Sequence, residues 1–168
     1  KWHYMFGEKK TVPITIRLII GRGWGQGPTH SQNLQAWFNH IPGLKVVMPT
    51  TPSDAKGLLM SSIFDPNPVV YLEHRWLHNS LEKVPSGDYR VPIGKAKIKK
   101  SGSDITIISM SYMTVEALKA AKFLEHNGIS CEVIDIRSIK PLDWSTIYKS
   151  ILKTKNLLVL DTGFTTGS

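Results

Sequence analysis

The sequence contains a single cysteine, Cys131, in 168 residues. One thiol excludes a disulfide framework and a cysteine-based zinc site. Long apolar runs are also missing. The longest, Val12 to Ile20, is interrupted by Pro13, Thr15 and Arg17, and falls short of the roughly 20 residues a membrane span requires. No secretory-signal pattern is visible. Acidic residues are scarce, 13 Asp and Glu against 21 Lys and Arg, for a formal charge of +8. Such an excess suits nucleic acid only when it is clustered and interleaved with aromatics. Here the basic residues are scattered, apart from Lys95, Lys97, Lys99 and Lys100. These alternate with small or apolar residues from Ile93 to Lys99, the pattern of a solvated edge strand whose lysines discourage further pairing. Neither nucleic acid nor membrane is expected as a partner.

What is present is globular: 41% hydrophobic and 20% charged residues, enough apolar content to exclude disorder. The length allows one substantial core or two small ones. The sequence opens on Lys1 and stops at Thr165-Thr-Gly-Ser168, which reads as part of something longer. Along it, strand and helix signals alternate. Val12–Ile20 reads as a buried strand and Gly21–Gly27 as a glycine-rich loop. Ser31–Ile41 reads as a helix, with Leu34, Trp37, Phe38 and Ile41 at helical spacing. Leu44–Met48 is a short strand. Thr51-Pro-Ser-Asp54 opens a helix with a capping side chain and proline in the first turn, burying Ala55, Leu58, Leu59, Ser62 and Ile63. Val69–Leu72 is the next strand. Residues 74–103, rich in proline, glycine and polar side chains, read as a linker with a small hairpin-like passage. A second alternating set follows: strand Ile105–Ile108, helix Met113–His126, strand Cys131–Ile136, helix Asp143–Leu152 capped by Asp143, and strand Leu157–Leu160. Strands separated by helices imply parallel sheets covered on both faces. The expected fold is therefore α/β, in two parallel-sheet units.

The candidate chemistry is concentrated in two places. Gly21, Gly23, Gly25 and Gly27 lie between a strand and a helix, the setting of a phosphate cradle. Their spacing does not match: G-x-G-x-x-G needs glycine at 26, where Gln26 stands, and no Gly-Lys-Ser/Thr follows. His30 ends this loop, at the first turn of the expected helix and the carboxyl end of a strand, where α/β sites form. A helix N-terminus there disfavours the imidazolium and leaves a neutral ring able to exchange a proton. A histidine that merely satisfies loop carbonyls is the other reading. The second place is Ser62-Ile-Phe-Asp-Pro-Asn67. Helix-end carbonyls with the Asp65 and Asn67 oxygens suit a hard cation, or form an ordinary Asp-Pro-Asn turn. Asp135 and Arg137 share a face and read as a polar pair ending a strand. Cys131 reads as a small apolar filler, and Ser31 lacks the partners of a hydrolase triad.

Several ordered motifs, His30-Ser-Gln, Pro42-Gly-Leu-Lys-Val-Val-Met-Pro49, Asp54-Ala-Lys-Gly-Leu58, Asn67-Pro-Val-Val70, Pro92-Ile-Gly-Lys-Ala96, Glu132-Val-Ile-Asp-Ile-Arg137 and Pro141-Leu-Asp143, resemble the beta subunits of the thiamine-diphosphate-dependent first component of 2-oxo-acid dehydrogenase complexes. These are the pyruvate, branched-chain and acetoin types, within the transketolase superfamily. The resemblance implies residues 1–74 as the second half of a pyrimidine-binding domain, 75–103 as a linker and 104–168 as a truncated transketolase C-terminal domain. It implies decarboxylation of a 2-oxo acid and acyl transfer to the lipoyl group of an acyltransferase. The implied cofactor is thiamine diphosphate with Mg2+, bound mainly by an alpha subunit in heterotetramers of two alpha and two beta subunits. His30 matches the family's active-site histidine. Ile14, Ser62, Ile63, Asp65 and Asn67 match positions that ligate a structural K+ in some members, with Pro66 standing where asparagine is more usual. The activating glutamate of the family has no counterpart in this sequence, so no cofactor-binding residue is assigned and the isolated stretch is expected to be inactive. The implied compartment is the cytoplasm in bacteria or the mitochondrial matrix in eukaryotes. Another transketolase-type enzyme, or a non-catalytic assembly module, are the alternatives.

Overall fold

The structure, a computed structural model, describes residues 1–165. After a single turn of helix, α1 (Trp2–Met5), the first half runs β1 (Thr15–Ile20), a one-turn helix α2 (Gly27–His30), α3 (Gln35–His40), β2 (Lys45–Val47), α4 (Pro52–Ile63) and β3 (Val69–His74), ending in a 3-10 turn over Arg75–Leu77. The second half runs β4 (Lys97–Lys100), β5 (Ile105–Ser109), α5 (Tyr112–Glu125), β6 (Cys131–Asp135), β7 (Ser138–Lys140), α6 (Trp144–Thr154) and β8 (Leu157–Val159).

The strands form two four-stranded sheets, ordered β1-β3-β2-β7 and β4-β6-β5-β8. In the first, β1, β3 and β2 are parallel and β7 is antiparallel. In the second, β6, β5 and β8 are parallel and β4 is antiparallel. The two mostly parallel α/β units expected from the alternation are present. The central strand β3 opens on a continuous apolar run, Val69 to Leu72, as a strand covered on both faces requires; β6 is buried throughout, from Cys131 to Asp135, although it carries Glu132 and Asp135. The lysine-rich β4 is an edge strand, as its alternation indicated. The addition is β7, which crosses from the second half to pair with β2, Val46 facing Lys140 and Val47 facing Ser138. A Ser-Ile-Lys segment carries no strand signature of its own.

Other expectations are corrected. β1 is an edge strand rather than a buried one: Ile16 and Ile19 are 41% and 53% exposed. Its composition suits a central strand, but position in a sheet is decided by its neighbours. α3 starts at Gln35, four residues later than its periodicity suggested. The Ser31 hydroxyl accepts the Gln26 N–H at 3.2 Å and the Asn33 side chain accepts the Arg22 N–H at 2.7 Å, local bonds that compete with a helix. Trp37 and Ile41, assigned to its apolar face, are exposed, as is Ile63 of α4. The caps are where the sequence indicated. Thr51 Oγ1 accepts the Asp54 N–H at 3.2 Å to open α4, and Asp143 Oδ1 accepts the Thr146 N–H at 3.3 Å to open α6.

The passage from 78 to 96 is an extended strap along α4, without the expected hairpin. Gly57 permits the close approach, since a Cβ there would lie 2.5 Å from Val91 Cγ2. The Val91 N–H donates to Gly57 O at 3.0 Å. Lys56 Nζ donates to Pro85 O and Gly87 O at 3.0 and 2.7 Å, and Tyr89 Oη donates to Ser53 O at 2.7 Å. Nor do the side chains of Asp135 and Arg137 pair. The Arg137 guanidinium donates to Asp54 Oδ1 at 2.9 Å and to Lys95 O at 2.8 and 3.1 Å; only its main-chain N–H reaches Asp135 Oδ1, at 3.2 Å. That buried ion pair ties β6–β7 to the start of α4, and so joins the two halves.

Candidate functional site

The carboxyl ends of β1 and β3 lie side by side, with Ile20 in register with His74. Loops leaving such ends form the sites of parallel sheets. The loop after β1 begins at Gly21, where a Cβ would sit 3.2 Å from Arg75 Cβ and 3.5 Å from Trp24 Cβ. Glycine therefore lets the two loops pass each other. Gly23, Gly25 and Gly27 take φ of 79°, 83° and 70°, the left-handed region that favours glycine. They turn the backbone, and nothing lies within 4 Å of where their side chains would be.

His30 is exposed and ends α2 rather than starting a long helix. The helix N-terminus expected beneath its ring is not there, because His30 lies in the last turn of α2. The ring makes no hydrogen bond among the described residues. It borders a cleft of about 190 Å3 walled by Leu18, Ile20, Phe38 and Leu72, with Gln32 and Arg75 as further polar members. No carboxylate lines this cleft. Ser31, its hydroxyl bonded to a backbone N–H, does not address His30.

The loop is braced from the second unit, by residues that sequence reasoning missed. Gln35 Nε2 donates to Asp161 Oδ1 at 2.6 Å, and Asn33 Nδ2 donates to Thr162 Oγ1. Arg22 Nη1 donates to Thr162 O and Gly163 O at 3.1 and 2.9 Å. Asn33 and Gln35 are 4% and 3% exposed. Two polar residues at buried positions of a helix-like stretch are the only local signal they offered.

At the end of β3 the chain builds an aromatic ladder. Trp24 meets the edge of Trp76 at 5.2 Å, Trp76 stacks on Tyr112 at 6.0 Å, and Tyr112 stacks on His74 at 5.1 Å. His74, which opens the stretch that reads as a linker, is almost fully buried. Its Nδ1 accepts the Trp76 N–H at 3.3 Å, so a neutral ring carries its proton on Nε2. Burial, with a smaller repulsion from His78, holds its pKa down at about 4.

Of the five candidate cation ligands, Ser62 and Ile63 end α4, Asp65 and Asn67 lie in the turn before β3, and Ile14 precedes β1; much of their capacity is used. Ile14 O accepts the Val69 N–H at 2.9 Å and Ser62 O the Asp65 N–H at 3.3 Å. The Asp65 carboxylate accepts from Lys45 Nζ at 2.5 Å and from the Asn67 N–H at 2.9 Å. The Asn67 side-chain oxygen is buried without a donor, so the set retains an unused acceptor. Cys131 is buried, and burial raises its pKa, as suits an inert thiol. In the second sheet Asp135 is fully buried, and burial raises its pKa to about 6. Among the described residues no group of three or more His, Cys, Asp or Glu is placed to hold a metal ion, and no helix is long and apolar enough to cross a membrane.

Comparison with known proteins agrees with this arrangement of two units. The family model "Transketolase, pyrimidine binding domain" matches residues 1–79, and "Transketolase, C-terminal domain" matches residues 94–168. The beta subunit of acetoin:2,6-dichlorophenolindophenol oxidoreductase from Cupriavidus necator is 44% identical over 161 residues, covering 96% of this chain and 48% of that protein. The pyruvate dehydrogenase E1 component subunit beta from Staphylococcus epidermidis is 48% identical over 155 residues, covering 92% of this chain and 48% of that protein. The chain thus spans about half the length of these curated relatives. Among solved structures, a split gene transketolase described as an inactive beta4 tetramer superposes with a TM-score of 0.79 at 25% identity, covering 94% of this chain and 50% of the other.

Proposed function

From the premise that this chain belongs to the transketolase family, through a pyrimidine-binding domain followed by a transketolase C-terminal domain, we propose that it is part of the beta subunit of a 2-oxo-acid dehydrogenase of the pyruvate dehydrogenase type. The observation that carries the reading is His30: an exposed imidazole, claimed by no other side chain, on the rim of a cleft at the carboxyl ends of β1 and β3. In this reading residues 1–74 belong to the pyrimidine-binding domain, 75–103 to a linker that includes the strap along α4, and 104–168 to the C-terminal domain.

The cofactor of this reading is thiamine diphosphate with Mg2+. The residues present fit one wall of its site. The cleft offers apolar sides and an imidazole, but no carboxylate for an aminopyrimidine and no ligand set for a metal–diphosphate. Those parts come from an alpha subunit and from beta-subunit residues outside this stretch. When bound, the cofactor supplies a nucleophilic carbon able to hold the electrons that remain when a 2-oxo acid loses CO2. On this chain, Leu18, Ile20, Phe38 and Leu72 exclude water from the cleft. The His30 imidazole delivers a proton to the lipoyl sulfur that leaves as the acyl group is transferred, a general-acid role. The Asp161–Gly163 segment keeps the His30 loop in place through Gln35, Asn33 and Arg22. A K+ ion at the end of α4 would be held by Asn67 Oδ1 and main-chain oxygens of Ile14, Ser62, Ile63 and Asp65, with a structural role. The partners are the alpha subunit and the lipoyl acyltransferase.

The acetoin-type relative favours a second substrate class, a neutral 2-hydroxyketone, on the same site. The test is the complete protein reconstituted with its alpha subunit, cofactor and Mg2+, assayed for CO2 release and lipoyl acylation with pyruvate and branched-chain 2-oxo acids, and for turnover of acetoin. Turnover of a 2-oxo acid is expected. A fully loaded complex inactive on all of them would overturn the proposal.

A further inference from the structure

Arg75 is half-buried in the turn that ends β3, and borders the same cleft as His30. An arginine carries five N–H donors and normally meets an acceptor for them when it leaves water. The other two arginines beside these sheets do so: Arg17 reaches Glu73 at 2.9 Å and Arg137 reaches Asp54 at 2.9 Å. Arg75 does not. Its Nε is buried without a partner, and none of the ion pairs among the described residues includes it. Glu73, its neighbour in sequence, is engaged instead by Arg17 and lies 3.8 Å from His78.

Rings rather than a counter-ion hold the guanidinium in place. It lies 5.6 Å from the centroid of Trp24, whose position is fixed in turn by Trp76 and Tyr112. Stacking of this kind positions the cation and leaves its edge donors open. The rest of the cleft has mainly apolar walls and no carboxylate. A charge in such surroundings is costly when unpaired, and its attraction to an anion is stronger than in water. The planar fork matches a carboxylate in bidentate geometry. The cleft, about 190 Å3, is below the roughly 300 Å3 at which pockets for drug-sized ligands begin, and suits an acid of a few carbons.

We propose that Arg75 is a carboxylate-binding residue that makes the His30 cleft selective for 2-oxo acids over neutral 2-hydroxyketones. The assignment of the anion as substrate rests on the function proposed above; the binding of a small carboxylate does not. Arg75 acts by orientation: with the carboxylate on the guanidinium, the oxo carbon lies inside the cleft that His30 borders.

The test uses the complete protein with its alpha subunit, and reads pyruvate binding without cofactor through tryptophan fluorescence, since Trp24 lies against Arg75. Inorganic phosphate and acetoin are the comparison probes. The expected result is saturable pyruvate binding, weakened at least tenfold in Arg75→Gln and less in Arg75→Lys, which keeps the charge and loses the fork. In turnover, Arg75→Gln lowers the ratio of kcat/KM for pyruvate to that for acetoin at least tenfold. Should Arg75→Gln fail to fold, Arg75→Lys and Gly21→Ala carry the test, because a Cβ at position 21 presses on the Arg75 side chain. Unchanged pyruvate affinity in folded variants, or phosphate binding more tightly than pyruvate, overturns the proposal. Loss of all turnover in the wild type, with Arg75-dependent pyruvate binding intact, counts against the dehydrogenase reading alone.

Discussion

The two sheets share an architecture and finish their parallel strands in opposite ways. At the carboxyl ends of β5 and β6 the polar side chains are mostly packed inside the chain, Asp135 Oδ2 and Ser111 Oγ without a hydrogen-bond partner. Asp135 and Ser109 are fully buried, Thr50 Oγ1 of the first unit donates to Ser111 O at 3.2 Å, and Arg137 is locked on Asp54. At the carboxyl ends of β1 and β3 the polar groups are left open: His30 is unclaimed, and Arg75 lacks an acceptor. At the first end the polar groups are covered by the chain and hold its halves together; at the second, His30 stands on an open cleft and is available to a ligand. The contrast explains why Asp54-Ala-Lys-Gly-Leu58, one of the motifs of the resemblance, is structural: Asp54 takes Arg137, Lys56 takes the strap, and Gly57 admits it.

The largest expected effect lies at the closed end. Asp54→Ala leaves the Arg137 guanidinium buried opposite no charge, and breaking a buried pair in this way costs about 3–5 kcal/mol. Urea denaturation of the complete protein measures it; a loss below about 1 kcal/mol would mean that the halves are not joined there.

The next effect separates the two ends by pH. Burial lifts Asp135 to about 6 from its ordinary 3.8, opposed by Thr50 and Lys99 and aided by Asp54. The stability this contributes is present below about pH 4 and lost as pH rises through 6. Burial lowers His74 to about 4 from 6.5, so its contribution is present above 6.5 and lost as pH falls through 4. Shifts of this size correspond to about 3 kcal/mol each. Between pH 4 and 6.5 the two slopes oppose one another. Asp135→Asn is expected to leave a stability that rises with pH across that window, and His74→Phe one that falls. Melting curves recorded at half-unit intervals distinguish them, and identical profiles for both variants would remove the account.

The smallest effect is at the open end. Arg75→Gln removes a stacked cation with no counter-ion, worth about 0.5–1 kcal/mol. If its thermal midpoint falls as far as that of Asp54→Ala, Arg75 has a structural partner and the contrast between the ends fails.

Much of the fold was legible locally. Thr51 and Asp143 cap their helices because cap chemistry is written within four residues, and β3 announces itself as an apolar run. The edge position of β1 was not legible, since Ile16 and Ile19 would suit a central strand equally well. β7 has no signature, because its pairing is supplied by β2. His30 was legible from its loop, but its place at the end of α2 depends on the Ser31 and Asn33 side chains binding nearby backbone. Arg75 resembled any linker arginine, since whether a charge has a partner is a tertiary property. Of the residues matching a K+ site, Asp65 is taken by the Lys45 ammonium, which comes from a strand twenty residues earlier, beyond any local pattern.

The most direct measurement of the central claim replaces His30 by alanine in the complete protein and follows the two half-reactions separately. With an artificial electron acceptor in place of lipoyl, CO2 release from the 2-oxo acid should change less than tenfold. Acylation of the lipoyl domain should fall about 10²–10³-fold, as loss of a general acid predicts. Lipoyl acylation at the wild-type rate in a folded, cofactor-loaded variant would contradict the assignment of His30 and, with it, the site proposed at the ends of β1 and β3.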